Sequence, residues 1–223
     1  MDSRSIVYQV DPCLFRDGDG HSWGTLGGVT EKLDHLAGLG VDALWLLPFY
    51  ASGDRDGGYD VVDHCRIDPR LGDDRQFDLL VRRANALGMQ VIVELVVQHT
   101  SDRHRWFRRA RSSPHSRYRD YYIWERQPRR DEPQTMFPPV ESGTWRRDAA
   151  AGSYYRHRFY AHEPDLEIAN PRVREEIHRI MAHWLDRGIL GFRVDAAPYM
   201  VERAALADPR DDGLAHAHAM ERR

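Results

Sequence analysis

The chain has 223 residues, of which 41% are hydrophobic and 30% charged, with 17 glycines, 12 prolines and two cysteines. This composition is typical of a globular protein and excludes a collagen, a disulfide-rich scaffold and a wholly disordered chain. The formal net charge of −3 is too close to neutral to indicate a protein that binds polyanions.

The sequence also bears on where the protein works. No apolar run approaches the roughly 20 residues that a membrane span needs. The first residues lead into a short strand-like segment, which is too short for the core of a signal peptide. Cys13 and Cys65 could form one disulfide, but nothing else indicates export. We therefore expect reduced thiols, a cytoplasmic protein and no membrane partner.

Strand-like and helix-like segments alternate along the first hundred residues. Residues 6–10 predict a strand, and a helical stripe that ends near Gly40 precedes the apolar run 43–47. A second stripe, over residues 77–87, precedes the apolar run 91–97. Amphipathic helices between continuous apolar runs are typical of a parallel sheet covered by helices. The sequence therefore predicts an α/β fold.

A segment of different composition interrupts this alternation. Residues 100–169 are rich in Arg, Tyr, Trp, Ser and Pro, and a structureless loop of this length is implausible in a compact domain. We predict a small inserted subdomain with a hairpin or two. A helix that begins at Asn170-Pro171 and a strand over residues 189–195 follow it. The predicted organisation is 1–99 and 170–223 for the α/β part, including a tail, and 100–169 for the insert.

Charged residues lie at the predicted strand ends, where parallel α/β barrels carry their catalytic groups. Asp195 closes the last strand, Arg193 lies two residues earlier on the same face, and Glu94 lies in the third strand. An arginine beside a carboxylate favours its ionised form, as a nucleophile requires. A structural Arg–Asp pair that joins two strands is the alternative interpretation.

Four segments resemble motifs of the α-amylase superfamily, glycoside hydrolase family 13, in the order of that family: residues 47–63, 93–100, 164–171 and 191–198. The resemblance covers the chain from Ile6 to about Glu202. It implies strands 1–4 of a (β/α)8 TIM barrel with a B subdomain inserted after the third strand. Within the family, residues 154–160 and 196–203 are similar to trehalose synthases and α-glucosidases.

The resemblance implies a retaining double-displacement enzyme that cleaves or isomerises α-glucosides such as trehalose, maltose or short α-glucans. Asp195 would be its nucleophile and Arg193 the charge partner of that carboxylate. His99 would hydrogen-bond sugar hydroxyls, Tyr59 would stack on a sugar ring, and Asp60 would bind the terminal glucose. For His99 a satisfied core histidine is the alternative, and for Tyr59 simple packing in a turn.

Three further residues support this site by resemblance, namely Glu94, Gln98 and Asp165. The first two depart from the family motif, which has Asp and Asn in their places, and Glu167 also stands where the family has Asn. No organic cofactor is implied.

A calcium loop of the family has a weaker counterpart here. The stretch from Asp17 to Trp23 keeps two carboxylates, but Thr25 stands where a further Asp is expected. Because Ca²⁺ takes about six oxygen ligands or more, we do not expect bound calcium, and we assign no metal ligand.

The family's acid/base Glu follows the fifth barrel strand, and this chain contains no counterpart of it. We therefore expect residues 1–223 alone to be inactive, and an open barrel edge to favour self-association. A non-catalytic sugar-binding or partner-binding fragment is the alternative function. The arginines and aromatic residues between Arg103 and Arg130 would suit nucleic-acid binding. We interpret them instead as a solvated face and expect no nucleic-acid partner.

Overall fold

The computed structural model describes residues 4–18, 20–128 and 135–200, and the chain divides into two compact units. The first unit takes residues 1–95 and 179–193, and the second takes residues 96–178 and 194–223. The predicted tail beyond Met200 and the loop residue Asp19 lie outside the described residues.

The first unit contains most of the predicted α/β part. Its elements up to residue 95 are, in chain order, β1 (Val7–Val10), α1 (Pro12–Phe15), α2 (Leu26–Glu31), α3 (Leu33–Gly38), β2 (Ala43–Leu46), β3 (Tyr50–Ser52), β4 (Val61–Ile67), α4 (Asp74–Ala86) and β5 (Gln90–Leu95). Lys32, the single lysine of the chain, lies exposed where α2 ends and α3 begins.

The later elements are α5 (Arg105–Ser112), a 3₁₀ turn (Arg119–Tyr121), β6 (Trp124–Glu125), β7 (Trp145–Asp148), β8 (Ser153–Arg156), α6 (Pro171–Leu185), β9 (Gly191–Val194) and α7 (Ala197–Met200). The predicted helix after Asn170 is α6, and the Asn170 side chain accepts the backbone N–H of Arg172 at 3.0 Å. This is the expected behaviour of an asparagine at a helix start.

The central sheet has the strand order β1-β2-β5-β9, so the four predicted strands are confirmed and form one sheet. The pairs β1–β2 and β2–β5 are parallel, with Leu46 opposite Val93. The buried residues of β2 and β5 are apolar except for Glu94, which is fully buried. The continuous apolar runs therefore belong to interior strands, and Glu94 is the exception that needs a partner.

Aromatic packing and a helix cap hold α4 in the first unit. Asp73 accepts the N–H of Gln76 at 2.9 Å, and the Gln76 side chain accepts the N–H of Asp73 at 3.1 Å. This reciprocal pair fixes the start of the helix. The rings of Phe49, Phe77 and Trp184 lie 5.0–5.1 Å apart and are fully buried.

Two features of the first unit were not predicted. The strands β3 and β4 pair antiparallel as a separate two-stranded sheet, and the register between them shifts. In β4 the buried residues are Val61, His64 and Ile67, so burial recurs every third residue rather than every second. The period-2 signal of a strand is therefore absent from the sequence. The four-residue helix α1 is too short to produce a helical period.

The second unit confirms that the inserted segment has a structure of its own. It contains a three-stranded antiparallel sheet in the order β6-β8-β7, and β7 and β8 form the predicted hairpin. The helix α5 was not predicted, because only Trp106, Phe107 and Ala110 are buried in a segment otherwise made of Arg and Ser. Three apolar residues in eight give a weak helical stripe.

The aromatic residues of the insert form the core of the second unit rather than a solvated face. Phe107 lies 5.0 Å from the ring of Tyr122 and 5.0 Å from that of Tyr155. Arg119 stacks 3.6 Å from the ring centre of Trp124 and donates to the Ser153 hydroxyl at 2.6 Å. Arg119 is therefore a packing residue. The interpretation of the segment as a solvated face did not predict a packing role for any of its arginines.

Candidate active site

The first cluster of candidate residues lies in the central sheet, around Glu94 of β5. One oxygen of its carboxylate pairs with the guanidinium of Arg193 on β9, and the other accepts the indole N–H of Trp45 at 2.5 Å. The Arg193 side chain is 42% exposed, and its guanidinium carbon lies 5.2 Å from the centre of the Trp45 ring. Both oxygens of this buried carboxylate thus have partners, as a buried charge requires.

Tyr50 adds a second hydrogen bond to the same strand. Its hydroxyl donates to the backbone carbonyl of Glu94 at 2.5 Å. Burial, and then the nearby Glu94 carboxylate, raise the pKa of the Tyr50 phenol well above its ordinary value. This phenol therefore stays protonated and remains a donor.

Tyr59 and Asp60 lie side by side in the loop before β4. Asp60 is fully buried, and its carboxylate accepts the backbone N–H and the Nε–H of Arg55, each at 3.2 Å. Gly58 precedes them with φ +97°, and a Cβ there would lie 2.9 Å from the carbonyl oxygen of Pro48. A glycine is therefore required for the turn that presents Tyr59 and Asp60.

A short antiparallel bridge holds the candidate residues of the second unit. His99 pairs with Asp165, the N–H of Leu166 donates to the Gln98 carbonyl at 2.9 Å, and the N–H of Thr100 donates to the Pro164 carbonyl at 3.2 Å. The segment just beyond β5 is thereby bound to the motif late in the insert, since Asp165 lies 66 residues after its partner His99.

The bridge brings Gln98, His99 and Asp165 together. The Nδ1 atom of His99 lies 2.9 Å from Oε1 of Gln98, and the amide of Gln98 also hydrogen-bonds the Asp165 carboxylate. Asp165 accepts in addition the backbone N–H of Arg158 at 2.9 Å, and Nε of Arg156 lies 3.7 Å from its carboxylate.

The electrostatics of Asp165 are a balance between burial and these donors. Burial raises the pKa of its carboxyl, while Arg156 and the hydrogen bonds lower it, and the net direction is upward. Burial also lowers the pKa of the neighbouring His157, whose ring Nδ1 lies 3.2 Å from the Phe159 carbonyl. The cluster is therefore a buried, hydrogen-bonded group, and burial favours the neutral form of His157.

Asp195 lies in the second unit, half-buried, directly after β9. The next residue, Ala196, has φ +52°, a left-handed conformation that is uncommon outside glycine and is enriched at functional sites. Tyr199 of α7 contacts the Phe159 ring at 5.9 Å, and Phe159 lies 5.4 Å from the ring of His99. The segment that follows Asp195 thus reaches the aromatic group beside His99.

The described residues hold no group of three or more His, Cys, Asp or Glu side chains arranged for a metal ion. In the loop proposed from family resemblance, the Asp17 carboxylate accepts three backbone N–H groups, and the Thr25 hydroxyl accepts the N–H of Gly28. These oxygens thus serve the turn of the loop and the start of α2. Within the same described ranges, no helix is both long and apolar enough to cross a membrane.

Several residues of the two clusters were not recognised from the sequence. Trp45 holds Glu94, Arg55 holds Asp60, and Glu163 lies against His99 at 3.9 Å. Only Trp45 carried a local signal, since an indole N–H in an interior strand needs an acceptor. The other contacts depend on loop geometry and on pairing between distant segments.

Comparison with known proteins agrees with the fold and with these motifs. The model of the α-amylase catalytic domain matches residues 9–222. The chain is 40% identical to the trehalose synthase of Pimelobacter sp. (strain R48) over 220 residues, which are 98% of this chain and 38% of that protein. It is 37% identical to the oligo-1,6-glucosidase of Bacillus cereus over 216 residues, 96% of this chain and 39% of that protein.

Among solved structures, the trehalose-6-phosphate hydrolase of Bacillus licheniformis superposes with a TM-score of 0.83 at 36% identity, covering 88% of this chain and 36% of that one. The chain thus spans less than two fifths of the length of each of these three proteins. Its fold is that of the N-terminal part of a TIM barrel with an inserted B subdomain. The chain belongs to the α-amylase catalytic-domain family, glycoside hydrolase family 13.

Proposed function

We propose that the protein cleaves or isomerises α-glucosidic bonds of small glucosides, such as trehalose, maltose or short α-glucans, with retention of configuration. The observation that carries this proposal is the anchoring of Arg193 by the buried Glu94, two residues before Asp195. Asp195 itself follows at the end of this strand, which is where parallel α/β barrels carry their catalytic groups. The names of the relatives, which include a trehalose synthase and an oligo-1,6-glucosidase, support the substrate class.

In the proposed first step, a carboxylate oxygen of Asp195 forms a bond to the anomeric carbon, and the bond from that carbon to the leaving oxygen breaks. The leaving oxygen takes a proton from an acid/base group, for which we propose no candidate among the residues that the structure describes. His99 donates to a sugar hydroxyl, Tyr59 stacks on the ring, and Asp60 accepts from the terminal glucose. We propose no cofactor for this chemistry. Because the relatives are enzymes, they favour this function over a non-catalytic sugar-binding or partner-binding fragment.

A trapping experiment tests the nucleophile without requiring the acid. 5-Fluoro-α-glucosyl fluoride releases fluoride ion, which needs no protonation, and its ring fluorine slows the hydrolysis of the glycosyl-enzyme. We expect mass spectrometry of purified residues 1–223 to find one fluoroglucosyl group on Asp195. D195N, checked for folding by circular dichroism, should carry none. A folded wild-type chain with no adduct would contradict the assignment of Asp195.

Two further proposals concern partners and location. We propose self-association through the edge strand β1, since Ile6, Val7 and Tyr8 expose 52%, 44% and 37% of their surface. Light scattering across a dilution series tests it, and a monomer at every concentration would contradict it. We propose a cytoplasmic location, because Cys13 and Cys65 are both exposed and unbridged.

A further inference from the structure

A cavity of about 350 Å³ in the second unit has no role in the proposed mechanism. Its lining comes largely from α5 and from the strands β7 and β8, and none of the candidate site residues lines it. The buried rings of Phe107 and Tyr155, 5.0 Å apart, form its apolar part. Ligand pockets of proteins range from about 300 to 1,000 Å³, so the size of this cavity suits a small molecule.

Charged side chains of both signs line the cavity. They are Arg111, Arg146, Arg147, Asp102 and Asp148. Three positive and two negative charges leave an excess of one positive charge. Four of these charges act on a single phenol, that of Tyr155. Burial and then Asp102 raise its pKa to about 12, with Asp148 acting in the same direction and Arg146 and Arg111 in the opposite one.

The protein itself compensates one of the two aspartates. The Asp148 side chain is 3% exposed, one of its oxygens lies 2.9 Å from Nε of Arg111, and the other accepts the N–H of Ala151 at 2.8 Å. The guanidinium carbon of Arg111 also lies 5.9 Å from the centre of the Phe107 ring. Arg111 is therefore held in place at the cavity, although its side chain is 40% exposed.

Arg146 brings a second guanidinium to the cavity from another element. It lies directly opposite Tyr155 in the pairing of β7 with β8, and Asp148 lies two residues further along β7. Side chains opposite each other, or two residues apart on one strand, share a face of the sheet. Arg146 is exposed, and within the described ranges it forms no ion pair.

Two guanidinium groups that come from different elements suit a phosphate group better than a carboxylate. A planar carboxylate is satisfied by one guanidinium, whereas a phosphate monoester offers three terminal oxygens and nearly two negative charges. Asp102, whose N–H donates to the His162 carbonyl at 2.8 Å, opposes the binding of a bare anion but can accept a hydroxyl group. The combination favours a molecule that carries both a phosphate and hydroxyl groups.

We propose that this cavity binds a small phosphorylated polyhydroxy compound, such as a sugar phosphate. Its phosphate contacts Arg111 and Arg146, and one of its hydroxyl groups donates to Asp102. The inference does not rest on the proposed function, because it uses neither Asp195 nor any other candidate site residue.

Equilibrium dialysis of residues 1–223 with radiolabelled ligands tests this at constant ionic strength and without turnover. We expect glucose 6-phosphate to bind, inorganic phosphate to bind more weakly, and glucose not to bind at millimolar concentration. R146Q removes one guanidinium at an exposed position. It should weaken the binding of glucose 6-phosphate about tenfold, as expected for the loss of a hydrogen bond between charged groups. Circular dichroism checks that each variant is folded.

R108Q is the matched control, since Arg108 is an exposed arginine of α5 that does not line the cavity. It removes the same charge and should change the affinity less than about twofold, because salt screens exposed charges. No binding of glucose 6-phosphate to the folded wild-type chain, or equal losses for R146Q and R108Q, would overturn the proposal. Inorganic phosphate that binds as tightly as glucose 6-phosphate would contradict the role of Asp102 and assign the cavity to the free ion.

Discussion

The indole N–H of Trp45 and the carboxylate of Glu94 form a 2.5 Å hydrogen bond inside the central sheet. It joins two interior parallel strands and orients the carboxylate whose other oxygen holds Arg193. Trp45 thus belongs to the support of the candidate site, although its side chain was assigned no role from the sequence.

Trp45→Phe tests this support. The substitution keeps an aromatic ring but removes the donor, so a buried charged acceptor loses one partner. We expect the free energy of unfolding to fall by about 2 kcal/mol, as for hydrogen bonds to charged groups. Urea titrations near pH 7 measure it. Trp23→Phe is the control, because the Trp23 indole is 40% exposed and donates to the neutral Arg70 carbonyl at 3.1 Å. Equal losses of unfolding free energy in the two variants would show that the hydrogen bond to the Glu94 carboxylate contributes no more than one to a backbone carbonyl.

Arg193→Leu tests the ion pair itself. It leaves the buried Glu94 without its positive partner, and we expect a loss of roughly 3 kcal/mol. This is the low end for buried pairs, because water reaches the 42% exposed Arg193 side chain.

The loss from Arg193→Leu should depend on pH. In the variant the unpaired, buried Glu94 should have a higher pKa in the folded state than in the unfolded chain. The folded state then loses stability as pH rises from the unfolded pKa toward the folded one. The variant should therefore be less destabilised at pH 5 than at pH 7. Arg16→Leu breaks the exposed pair with Glu31 and should cost less than about 1 kcal/mol at both values. A neutral Arg193→Leu would contradict the pairing.

His157 should make the second unit sensitive to acid. Burial lowers the pKa of its ring in the folded state, so the unfolded chain binds a proton first as pH falls through about 6.5. The stability that this group contributes is present above that value and declines below it. We expect His157→Asn to flatten the dependence of the unfolding free energy on pH between 7.5 and 5.5. The exposed His115, changed to Asn, should leave the slope as in the wild type. Identical slopes in all three proteins would contradict this prediction.

The loop that carries Tyr59 and Asp60 offers a matched pair of glycines. Gly58→Ala places a Cβ 2.9 Å from the Pro48 oxygen at φ +97°, whereas Gly57→Ala meets nothing within 4 Å at φ +54°. We expect about 1 kcal/mol of destabilisation for Gly57→Ala, from the left-handed backbone alone. Gly58→Ala should cost clearly more, because it adds the clash. Thermal and urea unfolding compare the two, and a larger cost at Gly57 would show that the turn is wrongly described.

Residues 1–223, purified alone, should turn over maltose and trehalose far more slowly than about 1 s⁻¹, a typical enzyme rate. The sugar leaving group needs a proton, and general acid catalysis contributes about 10²–10⁴-fold. Glu94 and Glu163, the two fully buried glutamates of the described ranges, are engaged with Arg193 and with histidines. An aryl α-glucoside with an activated phenolate is the more lenient substrate. Turnover at an ordinary rate that D195N abolishes would reveal an acid/base group among these residues.

The parts of the fold that depend on local pattern could be predicted from the sequence. The four strands of the central sheet follow from their apolar runs. The bridge that joins the His99 segment to residues 164–166 could not be derived from pattern, since neither segment is long enough to show a strand period.

The same limit explains why Glu163 was not recognised. Its position against His99 depends on that bridge, and nothing in its neighbours His162, Pro164 and Asp165 distinguishes it from an exposed loop residue. Arg55 is a similar case, because its two hydrogen bonds to the Asp60 carboxylate depend on the turn at Gly58. Contacts set by the path of a loop depend on backbone angles that composition and periodicity do not encode.

The position of Lys32 has a practical consequence. It supplies the single side-chain amine of the chain, and it is exposed at the junction of two helices, on elements that carry none of the candidate site residues. Once the α-amino group has been blocked, an amine-reactive reagent would attach one dye, or one surface linker, to each molecule at Lys32. Immobilised or fluorescent protein prepared in this way would be chemically uniform, and its candidate site residues would be unmodified.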